Sequence, residues 1–199
     1  VDEKGQIVDG DGILYVCAKD MAERGELGGG GIVTTVVSNG GLARALECMG
    51  VLCTRTQVGD KYVYEEMTRR GSLLGGEPSG HIVFRKYAST GDGILTSIEL
   101  MEAMLDSKQT LSRLCAQMTS YPQVLKNVRV SDKRAVRENG HVQAVVQAVG
   151  ERLGDSGRVL LRESGTEPVI RVMAEAQDMR TAERCVNEMI DAMKAEGLA

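Results

Sequence analysis

From Gly10 to Asp106 the chain alternates between two hydrophobic periods, and this alternation restricts its fold more than any other feature. Residues 11–24, the segment "GLARALECMG", a run from Asp60 and a run from about Gly91 to Asp106 repeat apolar residues every three or four positions, the period of a helix buried on one side. Between them lie "IVTTVVS", "VLCTRTQV" and "HIVF", short strand-like runs set off by glycines such as "GGGG" at 28–31. Strands alternating with helices predict an α/β fold with a mixed or parallel sheet. Ile13, Leu14, Val16, Cys17 and Met21 are expected on one face of the first helix, and Asp60 is expected as an N-cap.

The texture changes after Ser107. A short helix over "TLSRLCAQM" runs into Pro122, so residues 107–122 are expected as a linker and 123–199 as a second domain. There "VLKNVRV", "RVLLR" and "VIRVMAEA" read as strands, and Asn139 to Leu153 reads as a helix with Val142, Val145, Val146 and Val149 on one side. The last helix starts after Asp178 and is expected to bury Met179, Ala182, Cys185, Val186, Met189, Ile190 and Met193. The expected order is β-α-β-β-α, a small α+β domain. Residues 1–9 open on a strand-like Val without Met and turn at Lys4-Gly5, so they are expected to be the remnant of a preceding domain, with the α/β domain proper at 10–106.

Charge and cysteine content narrow the partners. With 24 basic against 28 acidic residues, and no basic block, nucleic acid is not an expected partner. No apolar run approaches the roughly 20 residues of a membrane span. Cys17, Cys48, Cys53, Cys115 and Cys185 are scattered without a C-x-x-C pair and read as core thiols of a reducing cytoplasm. The only histidines, His81 and His141, have no cysteine nearby, which argues against zinc. Asp9-Gly10-Asp11 looks like part of a magnesium loop, yet apolar Ile13 falls where a third ligand is needed, so no metal is expected there.

Two loops carry the chemistry. In "RESGTEP", Ser164, Gly165 and Thr166 can bend tightly and offer hydroxyls, with Gly165 free to adopt positive φ, while Arg162 and Arg171 flank the turn nine residues apart. Backbone N–H groups, hydroxyls and guanidinium groups are what holds a phosphate dianion. The alternative is an ordinary hairpin turn whose arginines pair with Glu163, Glu167 or Glu175. In "LLGGEPSGHIVF", glycines let the backbone approach a ligand while Glu77, Ser79 and His81 offer acceptor, hydroxyl and imidazole, a set suited to sugar hydroxyls. The alternative there is a glycine-rich turn with a solvated Glu and a packed His.

Taken in order, "VVSNGGL", "VGDKYVYEEM", "LGGEPSGHIVF", "STGDGILTSIELM", "LSRLCAQMTSYPQVLKNVRV" and "RESGTEPVIRVMAEA" resemble the α-D-phosphohexomutase family over nearly the whole chain. Members have four domains: a phosphorylated serine in the first, a magnesium loop in the second, a G-E-x-S-G-H loop in the third and an R-x-S-G-T-E-P loop in the fourth. The resemblance implies an α/β mixed-sheet domain three followed by a small C-terminal domain four (TBP-like), that is, a C-terminal half. It implies an isomerase that moves a phosphoryl group between the two ends of a hexosamine phosphate through a phosphoserine and a bisphosphorylated sugar. Arg162, Ser164, Gly165, Thr166 and Arg171 would clamp the non-transferring phosphate, and Glu77 and Ser79 would contact sugar hydroxyls. Lys61 and His81 would lie near the reacting centre, assisting proton transfer or neutralising charge. Mg2+ is expected upstream and none in this chain, which alone would be inactive; the full-length enzyme is expected to be cytoplasmic and homodimeric, with no nucleic-acid or membrane partner. Pro78 stands where glucosamine members often carry Gln, which stiffens the loop. A phosphomannomutase or phosphoglucomutase, and a stand-alone phosphosugar-binding module without catalysis, are the alternatives.

Overall fold

A computed structural model describes residues 1–199, which separate into two compact units, Val1–Ser120 and Tyr121–Ala199. No helix is long and apolar enough to cross a membrane.

The first unit runs α1 (Gly10–Glu23), β1 (Ile32–Thr35), α2 (Gly40–Cys48), β2 (Cys53–Thr56), α3 (Asp60–Arg70), β3 (Leu74–Gly76), β4 (Ile82–Phe84), α4 (Gly93–Ser107) and α5 (Leu111–Cys115). Its sheet has the order β2-β1-β3-β4, with β1 parallel to both neighbours and β4 antiparallel to β3. Successive side chains of a strand point to opposite faces. Ile32 accordingly joins the core built with α1, α2, α4 and α5, while Val33 packs with Val63 and Met67 of α3. Both faces are covered, so β1 is buried throughout and shows no apolar–polar alternation.

Several expectations are corrected here. Leu14, Tyr15, Val16, Cys17 and Ala18 of α1 are all buried, because α2, α4, α5 and β3 surround this helix, so its apolar residues are not confined to one face. Asp60 is the first helical residue of α3, not its cap; Gly59 is the cap, at φ 133, and the Asp60 carboxylate accepts from the Lys61 N–H at 2.8 Å. The glycine loop before "HIVF" begins as a strand: Gly75 and Gly76 pair with Val83 and Ile82, and a Cβ on Gly75 would meet the Met67 sulfur at 2.5 Å. A glycine strand is weak alone, but here it lets α3 close onto the sheet. Residues 107–120, expected as linker, fold into the first unit, since Leu111, Leu114 and Met118 are buried in its core. Residues 1–9 belong to it as well: Val8 packs on the core and Asp9 caps α1 by accepting from Gly12 N–H at 2.9 Å.

The second unit runs β5 (Gln123–Arg129), α6 (Lys133–Glu138), α7 (Gly140–Leu153), β6 (Arg158–Glu163), β7 (Val169–Glu175) and α8 (Met179–Ala195). The strands form an antiparallel sheet of order β5-β7-β6. Ile170, Val172 and Ala174 of β7 are buried with α7 and α8, which assigns residues 169, 171, 173 and 175 to the opposite face. Helix α6 is an addition to the expected order; Asp132 caps it, accepting from Arg134 N–H at 2.8 Å, and Val136 anchors it in the core. Met179 is 50% exposed, not buried, because it is the first residue of α8 and precedes the turn that meets the sheet.

Candidate functional site

In the first unit β2 and β3 lie on opposite sides of β1, so the chain turns opposite ways as it leaves the carboxyl ends of β1 and β3. In open α/β sheets such a switch point is where ligands bind. The segments that emerge there are residues 36–39, 57–59 and 77–80.

Glu77 follows β3 directly. Its Oε1 accepts from the Gly59 N–H at 3.0 Å, which ties the β3 loop to the start of α3, and its other oxygen accepts from no protein donor. The loop closes tightly: Glu77 N–H donates to His81 O at 3.1 Å and Gly80 N–H to Glu77 O at 3.0 Å, with Gly80 at φ 94. Helix α1 supports it from below, where Gly10 N–H donates to Pro78 O at 2.9 Å. A Cβ on Gly10 would stand 2.0 Å from Glu77 O, so only glycine permits this approach. Ser79 is at the exposed tip. The His81 Nε2 accepts from Gly91 N–H at 3.2 Å and lies 3.8 Å from Asp60 Oδ2.

Lys61 is not drawn into this loop. Its side chain is 74% exposed and pairs with Glu65 at 3.9 Å. Asp60, expected only as a helix cap, and Gly59, which caps α3, are the residues that meet His81 and Glu77. The signal for Gly59 is its position in "VGDK" at a φ that side chains rarely adopt. Beneath the loop, Thr34 Oγ1 donates to Gly76 O at 3.1 Å and bonds the Ser38 hydroxyl, and the Asp11 carboxylate accepts from Asn39 N–H at 2.7 Å. Asp9 and Asp11 are thus engaged in helix capping and in bracing the β1 loop, and no group of three or more His, Cys, Asp or Glu is placed to hold a metal. The residues of this chain do not fit a magnesium site.

In the second unit the β6–β7 hairpin carries the other loop. Ser164 N–H donates to Val169 O at 3.0 Å and closes it, and the buried Ser164 Oγ accepts from Glu167 N–H at 3.3 Å. Gly165 and Thr166 are exposed at the tip, and Gly165 does not use positive φ. The Gly165 N–H and the Thr166 hydroxyl have no acceptor or donor within the protein. The register places Arg162 directly opposite Arg171, on the sheet face away from the helices, with Asn127 of β5 on the other side of Arg171. Like charges in opposed positions destabilise a ladder unless an anion joins them. Arg171 Nη2 lies 3.6 Å from Glu167 Oε2, and its buried Nε has no hydrogen-bond partner. Of the other carboxylates named as alternatives, Glu163 pairs with Arg137 at 2.6 Å, and Glu175 pairs with Arg158 at 3.2 Å and accepts from Gln123 at 2.6 Å. Lys133, which sequence reasoning passed over, donates to the Ser164 carbonyl at 2.7 Å.

Residues 9–121 match the family described as phosphoglucomutase/phosphomannomutase, alpha/beta/alpha domain III, and residues 125–192 match its C-terminal domain. A phosphoglucosamine mutase of Lachnospira eligens is 52% identical over 199 residues, covering 100% of this chain and 44% of that protein. One from Macrococcus caseolyticus is 51% identical over 195 residues, covering 98% and 44%. The chain therefore spans less than half the length of these relatives. Among solved structures, the Aspergillus fumigatus N-acetylphosphoglucosamine mutase in complex with GlcNAc-6P and magnesium superposes with a TM-score of 0.77 at 21% identity, over 94% of this chain and 47% of that one. An N-acetylglucosamine-phosphate mutase in its substrate complex superposes with a TM-score of 0.78 at 20% identity, over 92% and 43%. These superpositions establish a shared fold, and together with the family matches over both units they show that the chain belongs to the phosphoglucomutase/phosphomannomutase family.

Proposed function

We propose that this chain is the sugar- and phosphate-binding half of an isomerase that interconverts glucosamine 6-phosphate and glucosamine 1-phosphate through a phosphoserine and a bisphosphorylated sugar. The observation that carries the reading is the opposition of Arg162 and Arg171 beside the S-G-T-E turn, two cations on one sheet face with a free Gly165 N–H nearby. That set fits a phosphate dianion. The relatives named phosphoglucosamine mutase at about half identity support the choice of sugar.

In this reading the turn holds the phosphate that is not being transferred, while the unpaired oxygen of Glu77 and the exposed Ser79 hydroxyl read ring hydroxyls. His81, an imidazole close to Asp60, is suited to relay a proton near the reacting end. Lys61 adds an exposed positive charge at the start of α3. Phosphoryl transfer depends on positioning and electrostatic stabilisation more than on covalent help from the protein. A mutase must also accept its bisphosphorylated intermediate in both orientations, so this clamp recognises phosphate and hydroxyls without gripping one end of the sugar uniquely.

The test is calorimetric titration of the 199-residue chain with glucosamine 6-phosphate, beside mannose 6-phosphate and glucose 6-phosphate, with a mutase assay on the same sample. Binding that prefers the amino sugar, weakened by about 2–4 kcal/mol in Arg162→Ala and without turnover, is expected. Turnover by the chain alone, or equal binding by Arg162→Ala, would overturn the reading.

A further inference from the structure

The S-G-T-E turn is gripped from the helical side of the sheet by α6. Lys133 Nζ donates to the Ser164 carbonyl at 2.7 Å and lies 3.4 Å from the Glu167 carbonyl, so one ammonium spans the two ends of the turn. One helical turn further along, Arg137 donates to Glu163 Oε1 at 2.6 Å. The helix that carries both is itself fixed: Val136 is fully buried, Asp132 caps the first turn, and Gln143 Nε2 donates to Val136 O at 3.5 Å. Arg162 and Arg171 project from the opposite face.

A trans peptide is planar, and its C=O and N–H point in opposite directions. Holding the Ser164 carbonyl toward α6 therefore turns the Gly165 N–H away from α6, toward the side of the arginines. That N–H has no acceptor within the protein. Gly165 has no side chain to restrict the peptide and does not adopt positive φ, so its own sterics do not fix this orientation.

We propose that Lys133 is a positioning residue of the phosphate-binding turn, orienting the Ser164–Gly165 peptide so that its N–H meets the ligand, without touching the ligand itself. The proposal rests on the reading of the turn as a phosphate clamp. It accounts for a part-buried cation standing beside two backbone carbonyls.

The test titrates the 199-residue chain with glucosamine 6-phosphate and, separately, with inorganic phosphate, using wild type, Lys133→Met, Lys133→Arg and Arg162→Ala. Hydrogen exchange at the Gly165 and Glu167 amides is followed in the same samples. Lys133→Met should weaken both ligands about tenfold, the loss expected for one charge-assisted hydrogen bond. It should also speed exchange at the hydrogen-bonded Glu167 amide and reduce the protection that bound phosphate gives the Gly165 amide, while the rest of the unit exchanges as before, and Lys133→Arg should restore much of the affinity. If Arg162→Ala loses binding but Lys133→Met binds as wild type, the clamp stands and the positioning role falls. A loss in Lys133→Met that arginine does not rescue, with faster exchange throughout the unit, marks a structural lysine and also overturns the role. If wild type binds neither ligand, the clamp reading falls and takes the proposal with it.

Discussion

Arg171→Met should make the second unit more stable without ligand and less stable with it. Arg171 faces Arg162 across the β6–β7 ladder, and opposed like charges cost about 0.2–1 kcal/mol. Its Nε is buried with no hydrogen-bond partner, an unmet donor worth about 1–3 kcal/mol of desolvation. Against these stands the pair with Glu167, 3.6 Å apart and largely solvated on the glutamate side, worth about 0–1 kcal/mol. Methionine keeps most of the stem packing, so the net gain without anions is about 1 kcal/mol, or about 4–8 °C for a unit of this size. Wild type bound to glucosamine 6-phosphate at 100 times its dissociation constant gains about 2.7 kcal/mol, and the variant gains little. The two proteins should therefore exchange order in differential scanning calorimetry: the variant melts higher in buffer free of phosphate and sulfate, and wild type melts higher with ligand. A variant that melts lower in anion-free buffer would refute the reasoning, because Arg171 would then be holding the hairpin together.

Other consequences concern the first unit. Gly10→Ala places a Cβ 2.0 Å from Glu77 O and 2.8 Å from Gly80 N, and neither backbone group can move without reshaping the loop. It should cost about 1–3 kcal/mol and weaken phosphosugar binding, and an unchanged melting temperature and affinity would contradict the contact. Burial pushes the thiols of Cys53 and Cys115 up to about 11 and raises that of Cys17 further, from a usual value of 9.0. Because the folded-state values are the raised ones, the stability these groups contribute is complete below about pH 9 and is lost as pH rises through 11. The first unit's melting temperature should fall steeply over that window, less so in a Cys53→Ala, Cys115→Ala variant, and an unchanged pH profile in that variant would refute the assignment.

The fold was legible wherever packing follows a local period. Helix α8 has its apolar residues at spacings of three and four, and those residues do face the sheet, apart from Met179 at the fraying first position. Reading failed where tertiary context supplies what the local chain lacks. Strand β3 is "LGG", too poor in β-branched residues to declare itself, and it is a strand because β1 and β4 pair with it and α3 needs glycine at 75. Helix α6 has six residues and one fully buried anchor, Val136, too few for a period to appear. Helix α1 misled in the opposite sense: its five consecutive buried residues do not follow a spacing of three and four, because neighbours surround it.

The candidate site divides along the same line. Glu77, Ser79, His81, Arg162, Ser164 and Arg171 sit in short motifs, because a turn must present its donors from adjacent positions. What orients those donors comes from elsewhere in the chain. Gly59 fixes the Glu77 carboxylate from 18 residues upstream, and Lys133 holds the Ser164 peptide from 31 residues upstream. Even the facing of Arg162 and Arg171 depends on loop closure by Ser164 N–H to Val169 O, since a one-residue slip would send one guanidinium to the helical face. A peptide plane or a carboxylate can be held from any element that packs beside it, so the holding residue has no required spacing from the group it holds. Motifs therefore identify which groups meet a ligand, while the direction in which those groups point is a property of the packed unit. Substitutions at Gly10 and Lys133, both outside the two loops, test that direction separately from the chemistry.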